Sequence, residues 1–259
     1  MFRFEDFDIK LDTEFIGRNF FYVEEVESSN LALLNDKSMD FDGAVLLAEK
    51  QTNGRGRKDR KWYSLADQNL TFSILLKKKF KGNKVNIVNF CSSLAVATTL
   101  ENLFQLKISL KWPNDVLADG KKISGILLDS VSKGAVIEKV VTGIGLNVNQ
   151  SGFQGQYVIP PTSIKIEAPQ EEQLDISRER VLSELLNNFE EIYLRAEDRP
   201  HSIMEDWKQR CKMIGEKVTI EDTNMSLTGI FEDVDEDGFL LLQVKDKIER
   251  IHFGDVSLR

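Results

Sequence analysis

The sequence predicts an α/β body followed by a small β-barrel, and three observations carry that prediction. Strand-like segments alternate with long apolar helices through the first 210 or so residues. From Gly215 the pattern changes to short strands separated by turn signals. The length, 259 residues, corresponds to one large domain or a large one with a small one, at about 100–200 residues per domain. A chain of this size buries roughly 70–75% of its unfolded surface, so its core needs no covalent staple.

The elements follow in order. FFYVEEV (20–26) reads as a strand, and Ser28-Ser29-Asn30 supplies a helix start for a short helix over LALL. GAVLLAEK (43–50) is a second strand running directly into a basic loop. NLTFSILLK (69–77) alternates, with Leu70, Phe72, Ile74 and Leu76 on one face. Residues 86–104 form a largely buried helix with Ile87, Phe90, Leu94 and Ala97 on its stripe, and Cys91 lies beside that stripe as a core residue. ISLKW (108–112) is strand-like, and WPNDVLADGKK is turn-rich. KISGILLDSVS and AVIEKVVTGIGLNV are two strands joined at Lys133-Gly134. Residues 149–175, rich in Gly, Pro and Gln, read as an irregular loop. A helix starts at Ser177, with Ile176 and Val181 placed to staple its cap and an apolar stripe from Val181 to Tyr193. A shorter helix spans Ile203–Arg210. The barrel strands that follow turn at Asp222-Thr223-Asn224, Asp237-Gly238 and Lys245-Asp246.

Composition narrows the function classes. Apolar residues at 41% and charged residues at 29% exclude extensive disorder. MFRFEDFDIK is acidic where a secretory leader is basic, and no apolar run approaches the ~18 residues of a membrane span. Two cysteines, Cys91 and Cys211, make no disulfide framework, which points to a reducing, cytoplasmic compartment. The net charge of −8 excludes a broadly basic nucleic-acid binder. That average hides a local reversal, because residues 50–84 sum to +9 and the remainder to −17. The lysine-rich half, KKKFKGNK (77–84), reads as a solvated face. The other half, KQTNGRGRKDRK (50–61), interleaves glycines with arginines and is suited to wrapping an anion.

Several chemistries find no support. There is no P-loop, and Gly143-Ile144-Gly145 lacks the third glycine of a dinucleotide fingerprint. His201 and His252 have no metal-ligand spacing and read as structural. KWPND (111–115) concentrates a charge, a ring, a fixed turn and two polar groups at a strand end, where ligands tend to bind.

GRGRKDRKW (54–62), KWPNDV (111–116) and KKISGILLD (121–129), in this order and at these separations, resemble the biotin–protein ligases. The resemblance runs from about Ser28 to the terminal GDVSLR. It implies an α+β fold, with a mixed-sheet catalytic domain of the biotin/lipoate ligase type at 1–212 and an SH3-like β-barrel at 213–259. It further implies ATP-dependent activation of biotin as biotinyl-5'-AMP, with Mg²⁺ as cofactor, and transfer to a lysine of a biotin carboxyl carrier domain. By position, the biotin contacts fall on Ser28, Ser29, Asn30, Gln51, Gly54, Arg55, Gly56, Arg57, Lys122 and Gly125. Ser29 stands where the family commonly has threonine, which keeps the hydroxyl. The ATP side falls on Arg57, Arg60, Lys111, Asn114, Asp115, Lys122 and Asn147. Lys122, Arg57 and Arg60 carry the catalysis, and Asn114 or Asp115 meets the magnesium. Trp62 could wall the ligand, but packing alone explains it nearly as well, and it is not assigned to the site. About 20 residues precede the first strand, too few for the roughly 60 of a winged helix, so no DNA partner and no transcriptional role are expected. No membrane partner is expected either, and a homodimer is compatible with the pattern.

Two alternatives are weighed. A lipoate- or octanoate-attaching relative shares the fold, but that group usually carries an Arg-rich triple-glycine segment in place of GRGR…KW. A nucleic-acid-binding module using the +9 stretch would weaken steeply with salt, and the surrounding −17 opposes it.

Overall fold

The computed structural model describes residues 2–58, 60–78, 80–134, 136–169, 176–222, 225–252 and 254–258. The body is built on one mixed sheet: β1 (Phe20–Val26), β2 (Val45–Gln51), β3 (Leu70–Leu76), β4 (Phe80–Lys81), β5 (Ile108–Lys111), β6 (Asp115–Ala118), β7 (Lys121–Lys133) and β8 (Val136–Leu146). Its order is β1-β2-β3-β8-β7-β6-β5, with β4 paired to β8. β1 and β2 run parallel, and the other ladders are antiparallel. A parallel neighbour needs a crossover, and the short helix α2 (Ser29–Asn35) supplies it.

Period-2 alternation decides which side chains meet which layer. On β3, Leu70, Phe72, Ile74 and Leu76 join the main core with α3 (Asn86–Phe104), α5 (Arg178–Asp198) and α6 (Pro200–Arg210). The opposite face is buried too, contrary to the simple reading of a half-exposed strand: Leu75 packs in a second cluster with Leu33, Leu46 and Val141 under α2. Thr71 and Ser73 share that second face, which is where the functional cavity opens.

The helices carry the expected stripes, with informative exceptions. Ser177 caps α5 by accepting the Arg180 N–H at 3.1 Å, and Ile176 and Val181 are both buried beside that cap. α3 is buried on most sides rather than along one stripe, and Ile87 is only half-buried. It is also, by length and composition, the one helix among the described residues apolar enough to cross a membrane, although polar residues interrupt it. Its apolar surface is spent instead on the sheet and on α5. α6 begins at Pro200, earlier than the pattern suggested, because proline suits the first helical turn. Two short helices were not foreseen: α1 (Phe4–Asp8), packed on α5, and α4 (Ile164–Glu167), inside the expected loop 149–175. Residues 170–175 of that loop lie outside the described residues.

The stretch after KWPND is a correction. It is a strand hairpin, β6 to β7, turning at Asp119 and Gly120, both at positive φ. An Asp-Gly pair favours the tight hairpin turn, and Val116 and Ala118 alternate into the core.

The C-terminal unit is a five-stranded antiparallel sheet of β9 (Lys217–Asp222), β10 (Met225–Val234), β11 (Leu240–Val244), β12 (Lys247–Ile251) and β13 (Asp255–Leu258), ordered β12-β11-β10-β9-β13. Gly238 and Lys245 turn at positive φ as the sequence indicated, while Thr223 and Asn224 of the first expected turn lie outside the described residues. This sheet shares the main core through Val218, Ile220, Phe231 and Leu242. Trp112 of the KWPND segment donates its indole N–H to the Gly238 carbonyl at 3.0 Å, tying the site's turn to the barrel. The Trp112–Pro113 peptide is cis. Three lysines of the 77–84 run are ion-paired, Lys77 with Asp40, Lys78 with Glu197 and Lys84 with Asp237, and Lys79 lies outside the described residues.

Candidate active site

A cavity of about 410 Å³ opens on the α2 side of the sheet, within the range of small-molecule sites. Its wall contains Ser28, Ser29, Asn30, Gln51, Arg55, Gly56, Arg57, Arg60, Lys111, Asn114, Asp115, Lys122, Gly125 and Asn147. Of the residues singled out in the sequence, Gly54 alone is not on that wall. Its role is local, because a side chain there would run into the Trp62 carbonyl, and the Trp62 N–H donates to the Gly54 carbonyl at 3.0 Å.

The inner end is a hydroxyl and amide cluster. The N-terminus of α2 places Ser29 so that its backbone N–H donates to Gln51 Oε1 at 2.8 Å, with its hydroxyl 3.1 Å from the same oxygen. Ser73 on β3 reaches Ser29 Oγ at 2.7 Å and Asn30 Oδ1 at 2.6 Å. Asn30 donates from Nδ2 to the Leu127 carbonyl and to Asp129 Oδ2, at 3.0 and 2.8 Å. Thr71 Oγ1, Trp62 Nε1 and Arg55 Nε are buried without a hydrogen-bond partner among the described residues, and all three residues line the cavity. Unmet buried polar atoms cost stability, and a polar ligand entering the cavity can satisfy them.

The floor is glycine. Gly143 and Gly145 lie on the same face of β8, and Gly125 of β7 is the cross-strand neighbour of Gly145. A Cβ at Gly143 would overlap the Asn30 amide, and one at Gly145 would overlap the Trp62 indole. The Trp62 ring thus lies directly on backbone, with Lys122 Nζ 5.9 Å from its centroid. This glycine pair, considered in the sequence only as an incomplete dinucleotide motif, is the signal that pointed to a close approach of ring to sheet. Trp62, left out of the site on sequence grounds, lines the cavity.

The outer end carries the charge. Lys122 Nζ is 2.6 Å from Asp115 Oδ1, joining β7 to the start of β6. Lys111, at the end of β5, is pulled below the usual lysine pKa, chiefly by burial, with Asp115 acting in the opposite direction. The basic segment is a hairpin: Arg55 bridges to Lys61, and the Gly56 N–H donates to the Arg60 carbonyl at 2.6 Å. Its base is held by an ion pair between Arg55 and Asp129 at 2.6 Å. Its tip touches the barrel, where Arg60 pairs with Asp255, Lys58 donates to the Glu221 carbonyl at 2.8 Å, and Arg57 reaches the Gly254 carbonyl at 3.4 Å. Asp129, Asp255 and Glu221 were missed in the sequence because their partners are distant along the chain.

Two residues assigned to the nucleotide side are also structural braces. Asn114 donates from Nδ2 to the Ile126 carbonyl at 2.7 Å, and Asn147 donates to the Thr162 carbonyl at 2.9 Å. No cluster of three His, Cys, Asp or Glu side chains able to hold a metal occurs among the described residues. Both cysteines are buried in the core, and burial pushes Cys91 up to about 12 and Cys211 up to about 11.

The chain matches the biotin/lipoate A/B protein ligase family over residues 25–147 and the biotin protein ligase C-terminal domain over residues 213–259. It is 30% identical to a biotin–[acetyl-CoA-carboxylase] ligase of Mycobacterium tuberculosis, over 90% of this chain and 86% of that one. It is 28% identical to the bifunctional ligase/repressor BirA of Bacillus subtilis, over 96% of this chain and 76% of the relative. Among solved structures it resembles the biotin protein ligase of Aquifex aeolicus in complex with biotin and ATP, with a TM-score of 0.78, 30% identity, and coverage of 93% of this chain and 99% of that one. The fold, the order of the motifs and these similarities agree, and the chain belongs to the biotin/lipoate A/B protein ligase family.

Proposed function

We propose that the protein is a biotin–[acetyl-CoA-carboxylase] ligase, which joins biotin to ATP as biotinyl-5'-AMP and then passes it to a lysine of a biotin carboxyl carrier domain. One observation carries this reading. A single cavity joins a neutral hydroxyl and amide pocket to a cationic mouth that includes Lys122, Lys111 and the basic hairpin. A substrate with an uncharged polar head and a carboxylate tail fits that polarity.

We assign the biotin ring system to Ser28, Ser29, Asn30 and Gln51, and its tail to the glycine floor around Gly125. The backbone of Arg55 to Arg57 and the Trp62 ring cover it. The tail carboxylate then approaches Lys122, where it attacks the α-phosphate of ATP and expels pyrophosphate. Two anions repel each other, and a preorganised ammonium at the point of charge development lowers that barrier. Arg57, Arg60 and Lys111 are assigned to the phosphates. Asn114 and Asn147 shape the nucleotide pocket through their backbone braces. In the second step the acceptor amine attacks the mixed anhydride and AMP leaves. A hairpin closed over the adenylate keeps water from it in the interval.

Magnesium fits only as an ion carried by the nucleotide. Mg²⁺ commonly binds through one or two carboxylates plus substrate phosphates. Asp115, the carboxylate beside Lys122, suits this, and Asn114, whose Nδ2 donates to the Ile126 carbonyl, offers its Oδ1 as a second oxygen. Such an ion would neutralise polyphosphate charge. We divide the chain at 212/213, a reading supported by the separate five-stranded sheet and the C-terminal family match. Two free buried thiols suit a reducing, cytoplasmic setting.

The test is biotin-dependent exchange of labelled pyrophosphate into ATP. Exchange with biotin and not with lipoate is the expected result. Exchange with lipoate alone would overturn the reading.

A further inference from the structure

The hydrogen-bonded wall of the cavity and the base of the basic hairpin meet at one side chain that touches neither cavity nor solvent freely. Asp129 lies on β7, seven residues after Lys122, and is absent from the cavity wall. Its Oδ2 accepts Asn30 Nδ2 at 2.8 Å and Arg55 Nη2 at 2.6 Å. These donors come from different parts of the chain, the first turn of α2 and the loop after β2. The carboxylate is 23% exposed and the guanidinium 34%, so solvent screens this pair less than a surface pair.

The consequences run in both directions from Asp129. Toward the pocket, an acidic acceptor dictates that Asn30 points its NH₂ outward to Asp129 and Leu127. The Asn30 carbonyl oxygen must then face Ser73, which also touches Ser29, whose backbone and hydroxyl meet Gln51. Reversing that amide would leave both Asp129 and the Leu127 carbonyl, which can only accept, facing an oxygen. Toward the loop, the ion pair fastens Arg55 at the hairpin base, directly before the Gly56–Arg60 backbone bond. The tip can therefore open while the base stays registered on β7. Arg55, which the motif suggests as a direct anion donor, spends one arm of its guanidinium on this internal carboxylate.

We propose that Asp129 is a positioning residue of the ligation site, orienting the Asn30 amide for the uncharged head of the acid substrate and anchoring Arg55 at the base of the hairpin that closes over the acyl-adenylate. This rests on the ligase reading above. It adds a residue that contacts no substrate and acts through two that do.

The test uses the full chain and the variants Asp129→Asn, Asp129→Glu, Arg55→Ala and Arg55→Ala/Asp129→Asn, assayed by pyrophosphate exchange at saturating ATP. Asp129→Asn keeps the shape and removes the charge. It should raise the KM for biotin about tenfold, the scale of one lost charge-assisted hydrogen bond, and leave kcat within about twofold. Release of free biotinyl-adenylate should accelerate by a similar factor, and Asp129→Glu should recover part of both effects. Because Arg55 and Asp129 act as a pair, the double variant should be little worse than the poorer single one. An unchanged KM with a lowered melting temperature would assign Asp129 to fold support and overturn the proposal, as would fully multiplicative losses in the double variant. Failure of the ligase reading shows separately, as absent exchange in the wild-type protein, and removes both.

Discussion

Arg60, near the tip of the basic hairpin, is ion-paired with Asp255 on the last strand of the C-terminal sheet. The arginine is 61% exposed, and exposed pairs contribute little to global stability. Lys58 lies 3.8 Å from the same carboxylate. The barrel therefore holds the hairpin over the cavity by a contact that is easily opened. Asp255→Ala should leave the melting temperature unchanged while trypsin cuts faster within residues 57–60. The same variant should leak biotinyl-adenylate faster, as should Arg57→Ala and Arg60→Ala. Slow dissociation of adenylate from all three would contradict the latch.

Lys122 Nζ lies 2.6 Å from Asp115 Oδ1, at the point where the proposed reaction brings carboxylate and phosphate together. Lys122→Ala is expected to reduce biotin-dependent pyrophosphate exchange by about two to three orders of magnitude, as for loss of a transition-state donor. An exchange rate equal to that of the wild type would remove Lys122 from the chemistry.

At Gly145 the backbone lies against the Trp62 indole with no room for a methyl group. Gly145→Ala must displace the ring. Overpacking of this kind costs about 1–3 kcal/mol, and here it should appear mainly as biotin affinity weakened about tenfold or more. Calorimetric titration with biotin measures it. Gly120→Ala is the contrast: nothing lies within 4 Å, but its positive φ makes the change a matter of backbone strain alone.

Lys111 gives the pH dependence. Burial lowers its pKa in the folded protein below the ordinary lysine value of 10.5, with Asp115 working against the shift. Below the lowered value the lysine is charged in both states, and the cost of burying the ammonium is fully present. Between the lowered value and 10.5 the unfolded chain holds a proton that the folded protein has released, so stability contributed by this site rises with pH. Lys111→Met should therefore be more stable than the wild type at neutral pH, with the advantage shrinking as pH rises through that window. Urea unfolding of both proteins across the alkaline range reads the difference. The same variant should bind ATP more weakly, because it removes the ammonium that the proposed function assigns to a phosphate.

Most of the fold was legible because its signals are local. The strand at 20–26, the cap at Ser177 and the turns at Gly238 and Lys245 each depend on residues within a few positions of one another. The hairpin after KWPND was less legible, since the Asn and Asp of Asn114-Asp115 read as turn chemistry while Val116 and Ala118 are in fact core. Thr71 and Ser73 were hidden for a related reason. Alternation on β3 marked the apolar face correctly, but a polar residue on the other face looks solvent-exposed unless α2 and a cavity are known to cover it.

By itself, the sequence determined the parts: the order of most elements, the basic loop, the KWPND turn and, by resemblance, fifteen site positions of which fourteen, all but Gly54, line one cavity. Only the tertiary structure decided how the charges are shared. Arg55 and Asp129 are 74 residues apart, and Arg60 and Asp255 are 195 apart. Periodicity and turn chemistry act through near neighbours along the chain, whereas an ion pair depends on distance in space, which the sheet order and the docking of the barrel set. The glycines at 125, 143 and 145 lie between these cases. Their presence is plain in the sequence, but what comes close enough to require them, the Asn30 amide and the Trp62 ring, is a property of the folded chain.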